Sequence, residues 1–177
     1  GVDSAFYVWL NGKFIGFSTV SHCTSEFNVS KAAQKGLNRI AVLVVKWSAF
    51  SYLEDQDMWR LSGIFRDVYL LARAKNHIRD IFVKTALSED LASADITVNI
   101  ESKKKASAFY KLVSPSGQII SEGTSDGVIS IPVEKPALWS DETPNLYKLF
   151  LTLEDEVIMQ RIGLKKIEIK NSIIYIN

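Results

Sequence analysis

The chain has 177 residues, of which 47% are hydrophobic and 23% are charged, and its formal net charge is +1. This composition is typical of a globular protein. The near-neutral balance argues against nucleic-acid binding, which relies on a clustered basic face, and the one basic run, Lys103–Lys105, is interpreted as a solvated turn. No apolar run approaches the roughly 20 residues that a membrane helix needs.

The single cysteine, Cys23, excludes an internal disulfide and favours a reducing compartment, so a cytoplasmic location is expected. Only the neighbouring His22 lies near it in sequence. We therefore interpret Cys23 as a small loop residue and not as a nucleophile.

The first secondary-structure elements are predicted from aromatic and β-branched runs and from the turn and cap residues between them. A strand is predicted over Ser4–Leu10, and Asn11-Gly12 predicts a tight hairpin, because both central residues of a type I′ turn need positive φ. Ser30 is the expected N-cap of a brief helix over Lys31–Lys35, which Gly36 ends.

Two more strands are predicted before residue 73. The run Asn38–Trp47 is almost continuously apolar, which indicates a strand buried on both faces, and Arg66–Ala72 is the second strand. The sequence pattern predicts too few strands to complete these sheets. Residues 1–72 are therefore expected to expose sheet edges and apolar faces.

A polar joint at Arg73–Asn76 divides the chain. Short strand patterns separated by turn residues follow it, and about seven of them at regular spacing predict an immunoglobulin-like sandwich without the disulfide. The predicted strands are His77–Thr85, Ala94–Glu101, Ser107–Val113, Gln118–Ser121, Val128–Val133, Leu146–Leu153 and Val157–Gly163.

Both ends of the sequence fall inside strand patterns. A strand pattern starts almost at residue 1, and Lys166–Asn177 begins a further hairpin around Asn171-Ser172. A lone strand pair is marginal in water. We therefore expect the chain to be a segment of a longer protein.

Three carboxylates, Glu54, Asp55 and Asp57, fall within four positions. On an extended backbone Asp55 and Asp57 project to the same side, and carboxylates suit hard cations such as Na⁺, Mg²⁺ or Ca²⁺. The spacing does not match an EF-hand loop. Nor can two parallel side chains flank a glycosidic bond from opposite faces, as a retaining glycosidase requires. A solvated loop and a site for a cation or polar ligand both remain open.

Aromatic faces stack on sugars, so the tryptophans are candidate ligand contacts. Trp9 and Trp47 fall inside strand patterns and are expected in the core. Trp59 and Trp139 lie in loop patterns. Each is expected to be either a surface platform for a sugar or an aromatic side chain that anchors its loop. His77 is interpreted as a strand-edge residue. The sequence has no Ser-His-Asp arrangement, phosphate-binding glycine loop or Cys-x-x-Cys motif.

The run Trp47–Leu70, WSAFSYLEDQDMWRLSGIFRDVYL, resembles the end of the amino-terminal sugar-binding domain of glycoside hydrolase family 2 β-galactosidases. The resemblance extends upstream through AFYVWLNGKFIGFS and SEFNVS. Downstream, LWSDETPNLYKL is similar to the first sandwich domain of the family, and IGLKKIEIKNSIIYIN to the junction with its catalytic (β/α)₈ barrel. The chain departs from many relatives at Phe17–Cys23 and at Ala49-Phe50, and the loop at Ala49-Phe50 is expected to differ in shape.

This resemblance implies an all-β fold, with a partial jelly-roll sugar-binding domain followed by an immunoglobulin-like β-sandwich. The implied domains are the end of the jelly roll over residues 1–74, the sandwich over 75–165, and the start of the barrel over 166–177. By the same resemblance, the front half of the jelly roll is expected to lie outside these residues.

The parent enzyme is then expected to hydrolyse terminal β-D-galactosides such as lactose with retention. Its two catalytic glutamates and its Mg²⁺ ligands would lie in the barrel, so this chain alone is expected to be inactive. By its match to EDQD, Asp57 is implied to bind Na⁺ and a galactose hydroxyl, in an orienting role. Glu54 and Asp55 are expected to support the loop.

The expected partners are the β-galactoside and the remainder of the β-galactosidase chain, in an oligomeric parent enzyme. Neither nucleic acid nor a membrane is expected as a partner. The alternative is a stand-alone carbohydrate-binding or structural β module without hydrolase activity.

Overall fold

The structure, a computed structural model, describes residues 1–54, 59 and 61–177. Antiparallel strands dominate it, which confirms the predicted all-β class. The chain divides into two compact units, residues 1–70 and 71–177. No helix among the described residues is long and apolar enough to cross a membrane.

The first unit contains a three-stranded sheet of order β3-β2-β4 and a two-stranded pair of β1 with β5. All pairings in it are antiparallel. Its elements are β1 (Val2–Asp3), β2 (Ala5–Leu10), β3 (Lys13–Ser18), β4 (Ile40–Val45), α1 (Ala49–Leu53) and β5 (Gly63–Ile64).

The predicted hairpin between β2 and β3 is confirmed. Asn11 and Gly12 have φ values of 52° and 76°, as a type I′ turn requires. The Asn11 side chain donates to the Ala32 carbonyl oxygen at 3.0 Å and accepts from the Arg39 amide at 2.9 Å. The turn therefore also fixes the segment that leads into β4.

The helix predicted over Lys31–Lys35 is wrong, because this segment forms a turn in which the Ala32 and Ala33 amides both donate to the Val29 carbonyl oxygen. The Asn38 side chain accepts from the Gln34 amide at 2.9 Å and donates to the Gln34 carbonyl oxygen at 2.7 Å. Those groups would otherwise serve a helix, and a helix of five residues is too short to compete.

Two strand predictions in the first unit also need correction. The run Asn38–Trp47 forms the shorter β4, which is not buried on both faces, because β4 lies at the edge of its sheet and Leu43 is 55% exposed. The strand predicted over Arg66–Ala72 is absent, and Tyr69 in it is 72% exposed. Apolar β-branched sequence forms a strand only where a partner edge is present.

The sheet of the first unit buries one face. Val2, Phe6 and Val8 form its core, with Ile15, Phe27, Val42 and Val44 packed against them. Tyr7 points to the opposite face, where it contacts the rings of Phe14 and Phe17, which are 55% and 58% exposed. The expectation that this part of the chain exposes an apolar face is confirmed.

A glycine in β3 makes room for the core of the first unit. A Cβ added at Gly16 would lie 2.7 Å from Cε1 of Phe27, whose ring meets Phe6 edge-on with centroids 6.0 Å apart. Gly16→Ala is expected to lower the free energy of unfolding by about 1–3 kcal/mol, because the Phe27 ring must leave its place.

Urea unfolding of the 177-residue chain measures this loss. The matched control is Gly127→Ala, because no atom lies within 4 Å of a Cβ built there, and about 0.5 kcal/mol or less is expected. Equal losses in the two variants would contradict the packing argument.

The second unit contains a sandwich made of a three-stranded sheet, order β10-β7-β6, and a four-stranded sheet, order β12-β11-β8-β9. Its strands are β6 (Ile78–Leu87), β7 (Ser93–Ser102), β8 (Ala108–Val113), β9 (Ile119–Ser125), β10 (Val128–Glu134), β11 (Tyr147–Leu153) and β12 (Glu156–Ile162). All seven strands predicted for this region are confirmed. Side chains with 0% exposure from both sheets form the core, among them Ile96, Val98, Leu112, Leu149 and Leu151.

A hairpin of β13 (Ile167–Lys170) and β14 (Ile173–Ile176) ends the second unit. Asn171 and Ser172, with φ values of 52° and 63°, form its turn as predicted. The Lys166 ammonium donates to Glu89 at 2.9 Å, and this hydrogen bond raises the pKa of Lys166.

Candidate functional site

The predicted site centres on Asp57, which lies outside the described residues, as does Asp55. We call residues 55–60 the acidic segment, and the structure describes the chain on both sides of it. On one side α1 leads into Glu54, and on the other side Leu61 leads into β5. The flanks therefore show where the fold fixes the two ends of the segment between them.

The upstream flank is a single helical turn that begins after Ser48. The Ser48 amide donates to Ser51 Oγ at 3.0 Å, and the Ser51 amide donates to the Ser48 carbonyl oxygen at 3.1 Å. At its end the Glu54 amide donates to the Phe50 carbonyl oxygen at 2.8 Å. Glu54 Oε2 is buried and has no hydrogen-bond partner within the described ranges, and the expectation that Glu54 supports the loop stays a prediction.

The downstream flank is fixed by β1. Ser62 and Gly63 both have positive φ, 63° and 90°, and the chain then pairs with β1 through Gly63 opposite Asp3. The Ser62 amide donates to Asp3 Oδ2 at 3.1 Å. Asp3 is only 8% exposed, so this hydrogen bond is protected from water.

Four serines meet where β1 ends and β2 begins. We call Ser4, Ser21, Ser48 and Ser51 the serine cluster. The Ser4 amide donates to Ser21 Oγ at 2.9 Å, and Ser4 Oγ lies 2.9 Å from Ser48 Oγ and 3.1 Å from Ser51 Oγ. Ser4, Ser21 and Ser51 are 2%, 6% and 4% exposed. Residues 3 and 4 thus hold both flanks of the acidic segment.

Sequence reasoning did not find this cluster. Ser48 is a residue type that begins helices, but Ser51 stands where the usual capping pattern has Glu or Gln, so the local sequence carries only part of the helix-start signal. The contacts that matter join Ser4 to partners 44 and 47 residues away, and no local pattern announces them.

The first unit contains three tryptophans, Trp9, Trp47 and Trp59. Trp47 was expected in the core, but it is 62% exposed, because β4 ends at Val45 and the Trp47 side chain does not join the sheet. Trp59, beside the acidic residues, is 91% exposed and is a surface side chain. Trp9 was also expected in the core, but it is half-buried and lies outside the core cluster of the first unit. Its ring contacts Phe14, with centroids 5.7 Å apart.

Trp139 is a loop anchor of the second unit. Its amide donates to the Leu164 carbonyl oxygen at 2.8 Å, and a Cβ added at Gly163 would lie 3.0 Å from its ring. Lys165 Nζ lies 4.1 Å from the ring centroid. These contacts occupy the ring and leave it poorly suited to stacking on a sugar.

The remaining sequence interpretations concern loop residues. His77 directly precedes β6, and its Nδ1 lies 2.8 Å from the Ala74 carbonyl oxygen. Lys103–Lys105 follows β7 in an irregular segment, and Cys23 is an exposed loop residue. None of these residues adds to the candidate site.

No group of three or more His, Cys, Asp or Glu side chains that could hold a metal ion lies in the part of the chain that the structure describes. The sodium ligand predicted at Asp57 falls outside that part. The assignment of Asp57 as a sodium ligand therefore stays a prediction.

Two family profiles match the chain. The profile described as "Glycosyl hydrolases family 2, sugar binding domain" matches residues 1–74, and the one described as "Glycosyl hydrolases family 2" matches residues 76–165.

Among curated proteins, the chain is 47% identical over its whole length to a β-galactosidase of Staphylococcus xylosus. It is 45% identical to one of Actinobacillus pleuropneumoniae. In both cases it spans only 18% of the relative's own length.

Among solved structures, a β-glucuronidase of an uncultured Clostridium species matches 99% of the chain with a TM-score of 0.89, at 23% identity and over 32% of its own length. A β-glucuronidase of Ruminococcus gnavus matches 99% of the chain with a TM-score of 0.82, at 17% identity and over 33% of its own length. At such identities these matches show the shared fold.

Proposed function

Because the chain belongs to glycoside hydrolase family 2, we propose that it serves as a non-catalytic part of a retaining β-galactosidase. In this proposal the complete enzyme hydrolyses terminal β-D-galactosides such as lactose in the cytoplasm. Its catalytic glutamates and its Mg²⁺ ligands belong to a barrel outside these 177 residues. This chain contributes scaffolding and one wall of the substrate site.

One observation carries the proposal, namely 47% identity along the whole chain to a β-galactosidase. The match covers both units, so it supports the proposal for the second unit, as scaffold, and for the acidic segment of the first unit. The structural neighbours named β-glucuronidases share 23% identity or less with the chain and support only the fold.

The acidic segment also favours a neutral sugar. A glucuronide carries a carboxylate, and the Asp57 carboxylate proposed to contact the sugar would repel it. A galactoside offers hydroxyls instead, which donate to carboxylates in charge-assisted hydrogen bonds.

Within this function we assign Asp57 an orienting role. Its carboxylate would accept from a galactose hydroxyl and would ligate Na⁺, which supplies a fixed positive charge beside the sugar. Neither group transfers a proton. Their contribution is to hold the sugar in the geometry that the displacement by the catalytic carboxylates requires.

A graft tests the proposal. The aligned segment of the Staphylococcus xylosus β-galactosidase is replaced by this chain, and we call the product the grafted enzyme. It is expected to hydrolyse 2-nitrophenyl β-D-galactoside and to leave the corresponding glucuronide intact, because the catalytic groups come from the relative and the acidic wall from this chain. The 177-residue chain alone is expected to release no nitrophenol.

The control is a graft of residues 71–177 only, which keeps the relative's own sugar-binding segment and should be active if the second unit is an exchangeable scaffold. Galactoside hydrolysis by the isolated chain would overturn the assignment of a non-catalytic part. An inactive but folded grafted enzyme, together with micromolar galactose binding by the isolated chain, would favour the alternative of a stand-alone carbohydrate-binding module.

A further inference from the structure

We infer that Ser4 is a positioning residue, whose hydroxyl holds the helical turn α1 and Glu54, the described flank that leads to Asp57, through the serine cluster. This inference rests on the proposed role of Asp57. It adds a residue at the opposite end of the first unit's sequence, 53 positions before Asp57.

The hydrogen bonds of the serine cluster have one consistent direction. Ser4 Oγ donates to Ser48 Oγ, and a hydroxyl has only one proton, so Ser51 Oγ must donate to Ser4 Oγ. The Ser48 amide in turn donates to Ser51 Oγ. The hydrogen bonds therefore form a chain from the Ser48 amide through the hydroxyls of Ser51 and Ser4 to Ser48 Oγ, and each of the two middle hydroxyls both accepts and donates.

Burial makes these hydrogen bonds sensitive to the loss of the Ser4 hydroxyl. Ser4 and Ser51 are 2% and 4% exposed, so water has little access to replace a missing hydroxyl. Removing Ser4 Oγ leaves the Ser51 proton without an acceptor and Ser48 Oγ without its donor. A buried polar group without a partner drives a local rearrangement. The turn of helix that has to rearrange is the one that ends at Glu54, next to the acidic segment.

The backbone of Ser4 is also unusual. Its φ is 68°, in the region that favours glycine, yet serine occupies the position. The positive φ turns the chain from β1 into β2, and the neighbouring Asp3 accepts from the Ser62 amide at 3.1 Å. One turn thus presents Ser4 to the upstream flank and Asp3 to the downstream flank. Strained positions of this kind are found at functional sites.

Two variants distinguish the effect of losing the Ser4 hydroxyl from the effect of the backbone conformation. Ser4→Ala removes Oγ and keeps the Cβ at positive φ, whereas Ser4→Gly removes Oγ and relieves the backbone, so it protects against a failure to fold. The matched control is Ser172→Ala, because Ser172 also has positive φ, 63°, but is exposed in the β13–β14 turn.

The first measurement is hydrogen exchange of the 177-residue chain. Both Ser4 variants are expected to speed exchange of amides in residues 48–64 by about tenfold or more, while residues 78–162 keep their rates, because local opening follows the lost contacts. Ser172→Ala should leave residues 48–64 unchanged. Unchanged exchange there in both Ser4 variants would overturn the inference.

The second measurement is a double-mutant cycle in the grafted enzyme. Ser4→Ala and Ser4→Gly are each expected to lower kcat/KM for the galactoside by about tenfold and to raise the Na⁺ concentration for half-maximal rate. In an Asp57→Asn background neither should change kcat/KM further, because the carboxylate on which Ser4 acts is gone. A purely structural role would instead lower the amount of folded enzyme and leave its half-saturating Na⁺ concentration unchanged.

The outcomes distinguish the two proposals. If Asp57→Asn alone leaves kcat/KM and the Na⁺ response intact, the role proposed for Asp57 fails, and the positioning role that depends on it fails with it, whatever the exchange rates. If Asp57→Asn has its effect but the Ser4 and Asp57 losses multiply independently, the role of Asp57 stands and the positioning role of Ser4 is wrong.

Discussion

Asp57→Asn in the grafted enzyme is expected to lower kcat/KM for 2-nitrophenyl β-D-galactoside by about 100-fold. A hydrogen bond to a charged acceptor is replaced by a weaker neutral one, and the sugar leaves the geometry needed for attack. The rate should also lose its dependence on Na⁺, because the amide is a much poorer ligand for a hard cation than the carboxylate. Initial rates across Na⁺ concentrations at constant ionic strength measure both effects.

Two matched substitutions define the specificity of this result. Asp55→Asn removes a neighbouring carboxylate that is expected to support the loop, and a much smaller change in kcat/KM with a retained Na⁺ response is expected. Asp67→Asn removes the charge of an exposed aspartate in the irregular segment after β5 and should leave both quantities unchanged. Full activity of the Asp57→Asn variant with an intact Na⁺ response would sink the orienting role.

The second unit was predictable strand by strand because its local pattern and its tertiary packing agree. Along β11 buried residues alternate with more exposed ones, so the period of two in the sequence reports directly which face lies in the core. Each strand of the sandwich finds its partners within the same unit.

The first unit was predicted less well for the opposite reason. The burial of Asn38–Trp47 and the strand at Arg66–Ala72 depend on neighbouring strands that the described structure does not supply. The missed turn at Lys31–Lys35 has a different cause, because the Asn38 side chain takes hydrogen-bonding groups that a helix would use. Propensity gives way to tertiary context in each case.

The candidate site shows the same division between local and distant information. Asp57 is suggested by a motif of consecutive residues, EDQD, and its role stays a prediction. The contacts of Ser4 with Ser48 and Ser51, and of Asp3 with the Ser62 amide, join residues more than 40 positions apart. Serine is common in loops and turns, so nothing in its local sequence marks Ser4 as buried.

Leu149→Ala is expected to lower the free energy of unfolding of the second unit by about 2–5 kcal/mol, because it leaves a cavity in a packed core. Leu149 is 0% exposed on β11, which pairs with both β8 and β12. Domains of this size are stable by only about 5–15 kcal/mol, so the loss is a large fraction of the total. Hydrogen exchange of amides in β8 and β11 measures it separately from the first unit.

The control is Leu71→Ala, the same substitution at a position of the second unit that is 67% exposed, for which about 0.5 kcal/mol or less is expected. Equal losses would contradict the assignment of Leu149 to the core. In the grafted enzyme Leu149→Ala should reduce the amount of folded protein on heating while the KM of the folded fraction stays unchanged. Ser4→Ala and Asp57→Asn are expected instead to lower kcat/KM of the folded enzyme, which separates the scaffolding unit from the unit that positions the substrate.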